Sequence, residues 1–301
     1  MSDLKNRYDI VFLFDATDCN PNGDPDMDNM PRTDPETSHG LVSDVCLKRK
    51  VRDYHSRAGE KIFYTNGSIL NDIIDAAHDT VEKKSKKLTG EEKVKAVQME
   101  LLRNFVDLRE FGAVLSTGRK AGQVRGPVQA GIARTIDPVH IQHLSITRKS
   151  VATQKEAQEQ IQKNGTIVGT FGSKYIIPYG LYKVIWNVNP AFAQKTDYSL
   201  ADFKKFLSAL SNLFEWDKSS GRMGMYVRGL YVFEHKCEKN QAFSLGKDKL
   251  VNCIERVKIS RKDQDKVPRS FEDYTITLNK KDLPQGLNVY DLSDGNIDIL
   301  F

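Results

Sequence analysis

Residues 8–40 read YDIVFLFDATDCNPNGDPDMDNMPRTDPETSHG, and the break inside this stretch decides how the rest of the chain is read. Tyr8–Phe14 is short, apolar and rich in strand formers, and the Asp, Asn, Pro and Gly residues that begin at Asp15 end it, so a strand over 8–14 is predicted. Beyond the turn-rich segment comes LVSDVCLKRKVRDYH, with no Gly or Pro before Gly59 and a cap candidate in Ser38 or Ser43; Leu41–His55 reads as a helix. Strand, loop and helix together predict an α+β chain. The loop carries Asp24, Asp26 and Asp28 in alternation, as a calcium loop does. Asn29 stands at the glycine position, however, and Glu36 falls one residue late for the bidentate ligand. Turn formation explains most of these side chains without a metal or catalysis.

Outward from this unit, Ser68–Lys87 is predicted helical and runs into EKKSKKLTGEEKVK, where Glu82, Glu91 and Glu92 interleave with the lysines as on a solvated face. Val94–Asp107 reads as a further helix and Gly112–Leu115 as a short strand. Ser199–Trp216 is the clearest amphipathic helix, with Leu200, Phe203, Phe206, Leu207, Leu210, Leu213 and Phe214 recurring at three and four residues behind a serine cap. Tyr182–Val188, Met225–Phe233 and Tyr274–Leu278 are expected to complete a sheet. Ala152–Gly172 is polar and Gln-rich, as an exposed projecting segment would be. No internal repeat is visible.

At 301 residues with 39% hydrophobic and 28% charged side chains, the composition is that of a folded chain and excludes a disordered one. No apolar run approaches the ~18 residues of a membrane span, and the opening residues lack a signal peptide's basic start and apolar middle, so a cytoplasmic location is expected. Four cysteines without a C-x-x-C pair suggest neither a zinc ribbon nor a disulfide framework. The formal charge of +5 is mild, so the position of the basic residues matters more than their sum.

Two basic stretches stand out. On the helix behind the loop, Lys48, Arg49, Lys50 and Arg52 crowd together, but at 100° per residue only Lys48 and Arg52 share a face and Lys50 points nearly opposite. Residues 117–134, TGRKAGQVRGPVQAGIAR, hold Arg119, Lys120, Arg125 and Arg134 with four glycines and no acid. Glycines let backbone N–H groups approach phosphates and the cations supply charge, a combination suited to a nucleic-acid backbone; a basic surface turn is the plainer reading. Neither a Walker loop nor a dinucleotide fingerprint is present.

FDATDCNPNGDP, PRTDPETSHGLVSDVCLKRKVRDY, FGAVLSTG, GQVRGPVQ, SKYIIPYGLY and RGLYVFEH, in that order, resemble the backbone-forming Cas-seven family of the RAMP superfamily, in the form found in type I-C CRISPR Cascade complexes. The resemblance runs through most of the chain. Ser38 departs from it, standing where Gly is expected. The resemblance implies a single elaborated domain over 1–301: a modified RRM-like, ferredoxin-like palm, a helical finger insertion at 60–110 and a thumb extension at 135–178. It implies a non-enzymatic protein, without cofactor or metal, that polymerises along a CRISPR guide RNA and supports target DNA recognition. Further copies of itself, a Cas-five type subunit and a large PAM-reading subunit are its implied partners. Lys48, Arg49, Arg52, Arg119, Lys120, Arg125 and Gln129 are then expected at the guide backbone, with Arg148, Lys149 and Lys174 on the thumb. The competing reading is a RAMP-type endoribonuclease using a loop Asp (Asp24, Asp26 or Asp34) or one of His39, His55, His140 and His143.

Overall fold

The computed structural model describes residues 4–84 and 88–301. The chain begins with β1 (Arg7–Cys19), followed by β2 (Gly23–Asp24), β3 (Met30–Pro31), β4 (His39–Val42) and helix α1 (Asp44–Arg57). Helices α2 (Leu70–Lys84), α3 (Gly90–Asn104) and α4 (Val106–Phe111) lead to β5 (Gly112–Leu115), β6 (Gly122–Arg125), β7 (Val128–Ala130), β8 (Ala133–Pro138) and β9 (Gln142–Arg148). Then come α5 (Gln154–Asn164), β10 (Thr170–Val188), α6 (Pro190–Thr196), α7 (Leu200–Ser211) and β11 (Met225–His235). The last elements are α8 (Leu250–Glu255), β12 (Val257–Arg261), β13 (Tyr274–Leu278) and β14 (Leu287–Asp291).

The apolar run at the start of β1 is explained by its central place. In the main antiparallel sheet, of order β14-β11-β1-β10-β8-β4, β1 pairs with β10 from Tyr8↔Val188 to Cys19↔Ile177 and with β11 on its other edge. Tyr8, Ile10, Phe12 and Phe14 pack with Leu47 and Val51 of α1 and Phe203, Phe206 and Leu210 of α7. Val11 and Leu13 pack on the opposite face with Tyr231, Phe233, Cys253 and Tyr274. A strand covered on both faces has no need to alternate.

Several sequence expectations are corrected. The strand does not stop at Phe14 but continues to Cys19, because Asp15, fully buried, accepts from Arg228 Nε at 2.8 Å and from the Tyr179 hydroxyl at 3.4 Å. Leu41 and Val42 belong to β4, and α1 starts at Asp44 with Ser43 as its cap, Oγ accepting from Cys46 N at 3.3 Å. Ser38 is no cap; its φ of 56° lies in the left-handed region that favours glycine. The predicted helix over 94–107 is two helices, broken by extended Phe105. Tyr274–Leu278 pairs with β12 in a two-stranded ribbon and does not join the main sheet.

The turn-rich loop acts as a bracket for α1. Asn22 Oδ1 accepts from both the backbone N–H and the hydroxyl of Ser43, at 3.0 and 3.1 Å, so the loop orients the residue that caps the helix. Helices α2 and α3 build a separate apolar cluster, including Ile74, Val81, Val97 and Leu101, which extends to Leu115 and Ala121 of the β5–β6 hairpin. Strand β9 and the first half of β10 form a long hairpin carrying α5, a helix with no buried residue. Among the described residues, no helix is long and apolar enough to cross a membrane.

Candidate nucleic-acid interface

Helix α1 sets two of the expected cations side by side. Lys48 Nζ and the Arg52 guanidinium lie 5.8 and 5.0 Å from the Phe111 ring centre, while Lys50 turns the other way to a buried ion pair with Asp217. Arg49 pairs with Asp53 along the surface at 2.9 Å. Lys48 donates to Asp44 at 3.1 Å and to Gln129 Oε1 at 3.3 Å. Arg52 is more deeply committed: its Nε donates at 3.0 Å to Asp107, a fully buried carboxylate that also accepts from Phe63 N at 2.8 Å and Tyr64 N at 3.2 Å.

The Gly-rich segment divides into two sites. Arg125 is exposed, its guanidinium 4.6 Å from the Phe192 ring centre. The glycine that follows serves packing: a Cβ on Gly126 would lie 2.3 Å from the Phe111 carbonyl carbon and 2.4 Å from Gly112 N. Its backbone therefore approaches the chain itself, which corrects the expectation that these glycines all open the backbone to phosphate; Gly131 alone of the four has open space around it and an ordinary φ. At the β5–β6 tip, Arg119 meets Asp75, Asp79 and Glu82 of α2, the second of these at 2.9 Å. A segment free of acids in sequence is thus given acids by a helix some 40 residues earlier. Lys120 beside it is exposed. Arg134 pairs with Asp34 of the turn-rich loop and holds that carboxyl down to about 2.

The hairpin cations are likewise separated. Arg148 and Lys149 are exposed at its far end, whereas Lys174 near its root donates to the Ser220 carbonyl at 3.0 Å. His143 stacks on Tyr175 at 4.8 Å, and the Tyr175 hydroxyl donates to Asp28 at 3.3 Å, tying the root to the turn-rich loop. Asp24 instead accepts from Arg32 at 3.0 Å, so the loop carboxylates are drawn to different partners. Sequence reading missed the 217–224 loop before β11, where Asp217 joins Lys50 to Arg222 and where Lys218 lies over Tyr226 at 4.3 Å. Nothing local marks these residues; only the fold brings them beside α1 and the hairpin root.

Among the described residues, one group of metal-ligating types converges: buried Asp9, His235 and Cys253. His235 Nδ1 accepts from Lys247 N at 2.8 Å, which places its proton on Nε2, 3.0 Å from Asp9. Asp9 also accepts from Arg7 and Asn187. Both imidazole nitrogens are thereby engaged, and the group is a hydrogen-bond network joining β1, β11 and the 245–250 segment.

A second buried pair lies beneath α1. His55 Nε2 is 3.2 Å from Glu110 Oε2, to which Tyr198 also donates at 3.3 Å. Burial pushes the Glu110 carboxyl up; burial would push His55 down, but the charge and hydrogen bond of Glu110 hold it above 6.5. Both directions mean that the folded pair keeps its proton more tightly than the unfolded chain. Stability from such raised values is present below the unfolded histidine value and lost as pH rises through the folded one. Urea unfolding repeated across the histidine range is therefore expected to show stability falling with rising pH. His55→Gln should flatten that dependence, and an unchanged profile in the variant would contradict the assignment.

The candidate cations are thus spread over an antiparallel sheet backed by two helices, a separate helical insertion and a projecting hairpin. The fold is similar to that of a chain in a structure described as a CRISPR RNA-guided surveillance complex, pre-nicking, with a TM-score of 0.52, 14% identity, and coverage of 83% of this chain and 86% of that one. The family model of CRISPR-associated protein Cas7 matches residues 6–279, and the chain belongs to that family. The CRISPR-associated protein Cas7 of Haloferax volcanii is 34% identical over 119 residues, a match that spans 37% of this chain and 33% of that relative.

Proposed function

We propose that this chain is the guide-holding backbone subunit of a type I-C CRISPR Cascade complex, which polymerises along the CRISPR RNA in the cytoplasm and supports target DNA recognition through guide pairing. The observation that carries the proposal is the exposed Arg125, on a turn pinned beside the Lys48 face of α1, in a chain of the Cas7 family. On this reading the main sheet with α1 and α7 is a modified RRM-like palm, residues 60–110 a helical finger and 135–178 a thumb. A guide must present many different spacers, so its holder binds phosphate and ribose and leaves the pairing edges free. Arg125, Lys120, Arg148 and Lys149 are exposed cations suited to that task. Neighbouring copies, a Cas-five type subunit and a large PAM-reading subunit are the proposed protein partners. Binding without cutting is supported by the loop carboxylates: Asp24 and Asp34 each face an arginine.

Arg125→Ala should weaken retention of a guide RNA about tenfold, the loss of one charge-assisted contact. Lys84→Ala should change it less than about twofold, because Lys84 already pairs with Glu100 at 3.0 Å at the surface. Filter binding on folded variants makes the comparison. Equal losses would place the RNA elsewhere.

A further inference from the structure

We infer that Gln129 is a positioning residue of the guide interface and makes no contact with RNA itself: its single amide ties Lys48 of α1 to the Arg125–Gly126 turn. The inference rests on the RNA-binding reading above and gives Gln129 a different role from the direct contact implied by the family resemblance. Gln129 Nε2 donates to the Gly126 carbonyl at 3.0 Å and to the Phe111 carbonyl at 3.3 Å. Its Oε1 accepts from Lys48 Nζ at 3.3 Å. A primary amide has two N–H donors, and both are engaged here. A phosphate offers acceptors only, so Gln129 would have to release a carbonyl to bind one.

The base of this device is rigid. Gln129 lies in β7, in register with Asn187 of β10, so its backbone is set by the main sheet. Gly126 is wedged against the Phe111–Gly112 backbone, where no side chain fits. Lys48 has one other polar partner, Asp44, four residues back on its own helix. With Asp44 alone the ammonium would lie along α1; Gln129 draws it across the helix face toward the turn that presents Arg125. One neutral side chain thus ties Lys48 to the backbone of the turn that follows Arg125, without adding a charge beside either cation. A carboxylate there would do the opposite, forming an ion pair with Lys48.

Gln129→Glu tests this. The probe is a labelled single-stranded RNA of mixed sequence, its dissociation constant measured against sodium chloride concentration for the full-length protein. The expected result is weaker binding and a log–log salt slope shallower by about 0.7, the loss of one phosphate contact on a single strand. Lys48→Gln should give the same change in slope, and adding it to Gln129→Glu should change little more, since both act on one ammonium. A folded Gln129→Glu protein with wild-type affinity and slope overturns the inference, as do effects of the two substitutions that add in full. Should Gln129→Glu fail to fold, Lys48→Gln still decides, because it keeps an unbranched polar side chain at a largely buried helix position and an unchanged slope there overturns the inference. Wild-type protein that binds no RNA overturns the functional reading as well, and is distinguished by failing before any variant is compared.

Discussion

Asp107→Ala is expected to lower the unfolding free energy by about 3–5 kcal/mol, the scale for removing one partner of a buried ion pair. Asp107 is fully buried and serves three donors, Arg52 Nε and the backbone N–H groups of Phe63 and Tyr64. Its loss strands a guanidinium whose side chain is only 13% exposed and leaves two backbone donors without their acceptor. The damage should be local at first. Residues 63–64 begin the passage from α1 to the helical insertion, and α2 and α3 pack in a cluster of their own. Hydrogen exchange should therefore show protection lost across α2–α3 while β1, paired on both edges, stays protected. Asp107→Asn, which keeps an acceptor oxygen, should be milder. A urea midpoint for Asp107→Ala close to wild type would mean that the network is not what joins the insertion to α1.

Guide binding is expected to fall about a hundredfold for a fourfold rise in monovalent salt, if some five phosphates are neutralised at about 0.7 per contact. Scrambling the spacer at constant length should leave affinity nearly unchanged. The physical basis is the kind of group available: Arg125, Lys120, Arg148 and Lys149 are exposed cations on turns and on the hairpin end. Arg119 and Arg134 contribute less to this sum than their sequence positions suggest, because acids of α2 and of the turn-rich loop already face them. A titration of labelled RNAs by fluorescence anisotropy checks both parts. Strong discrimination between scrambled spacers would require base-edge contacts and would contradict a backbone-holding role.

The buried clusters show how far pattern reading reaches. The amphipathic period of 199–216 and the serine cap of α7 are local properties, and the helix starts where they put it, with Ser199 Oγ accepting from Asp202 N at 3.1 Å, but it ends at Ser211, short of the predicted Trp216. The strand at 8–14 is also found, because apolar side chains on both faces demand a buried central position. The continuation of that strand through Asp15 was not legible: an aspartate reads as a turn former until Arg228, 213 residues away, is placed beside it.

The sequence by itself determined the class of fold, the cap and period of α7, the order of the family motifs and the uneven division of the α1 cations between opposite faces. These follow from side-chain volume, backbone preference and helical geometry, all of which act over a few residues. Tertiary structure alone decided which cations stay available. It set Asp75, Asp79 and Glu82 against Arg119, Asp34 against Arg134 and Asp107 beneath Arg52, and it left Arg125 exposed over Phe192. It also turned Gly126 from an apparent phosphate-facing turn residue into a packing contact with Gly112. The reason is that charge pairing and close approach depend on distance in space, falling off within a few ångströms, and chain separation carries no record of that distance until the sheet has brought the segments together.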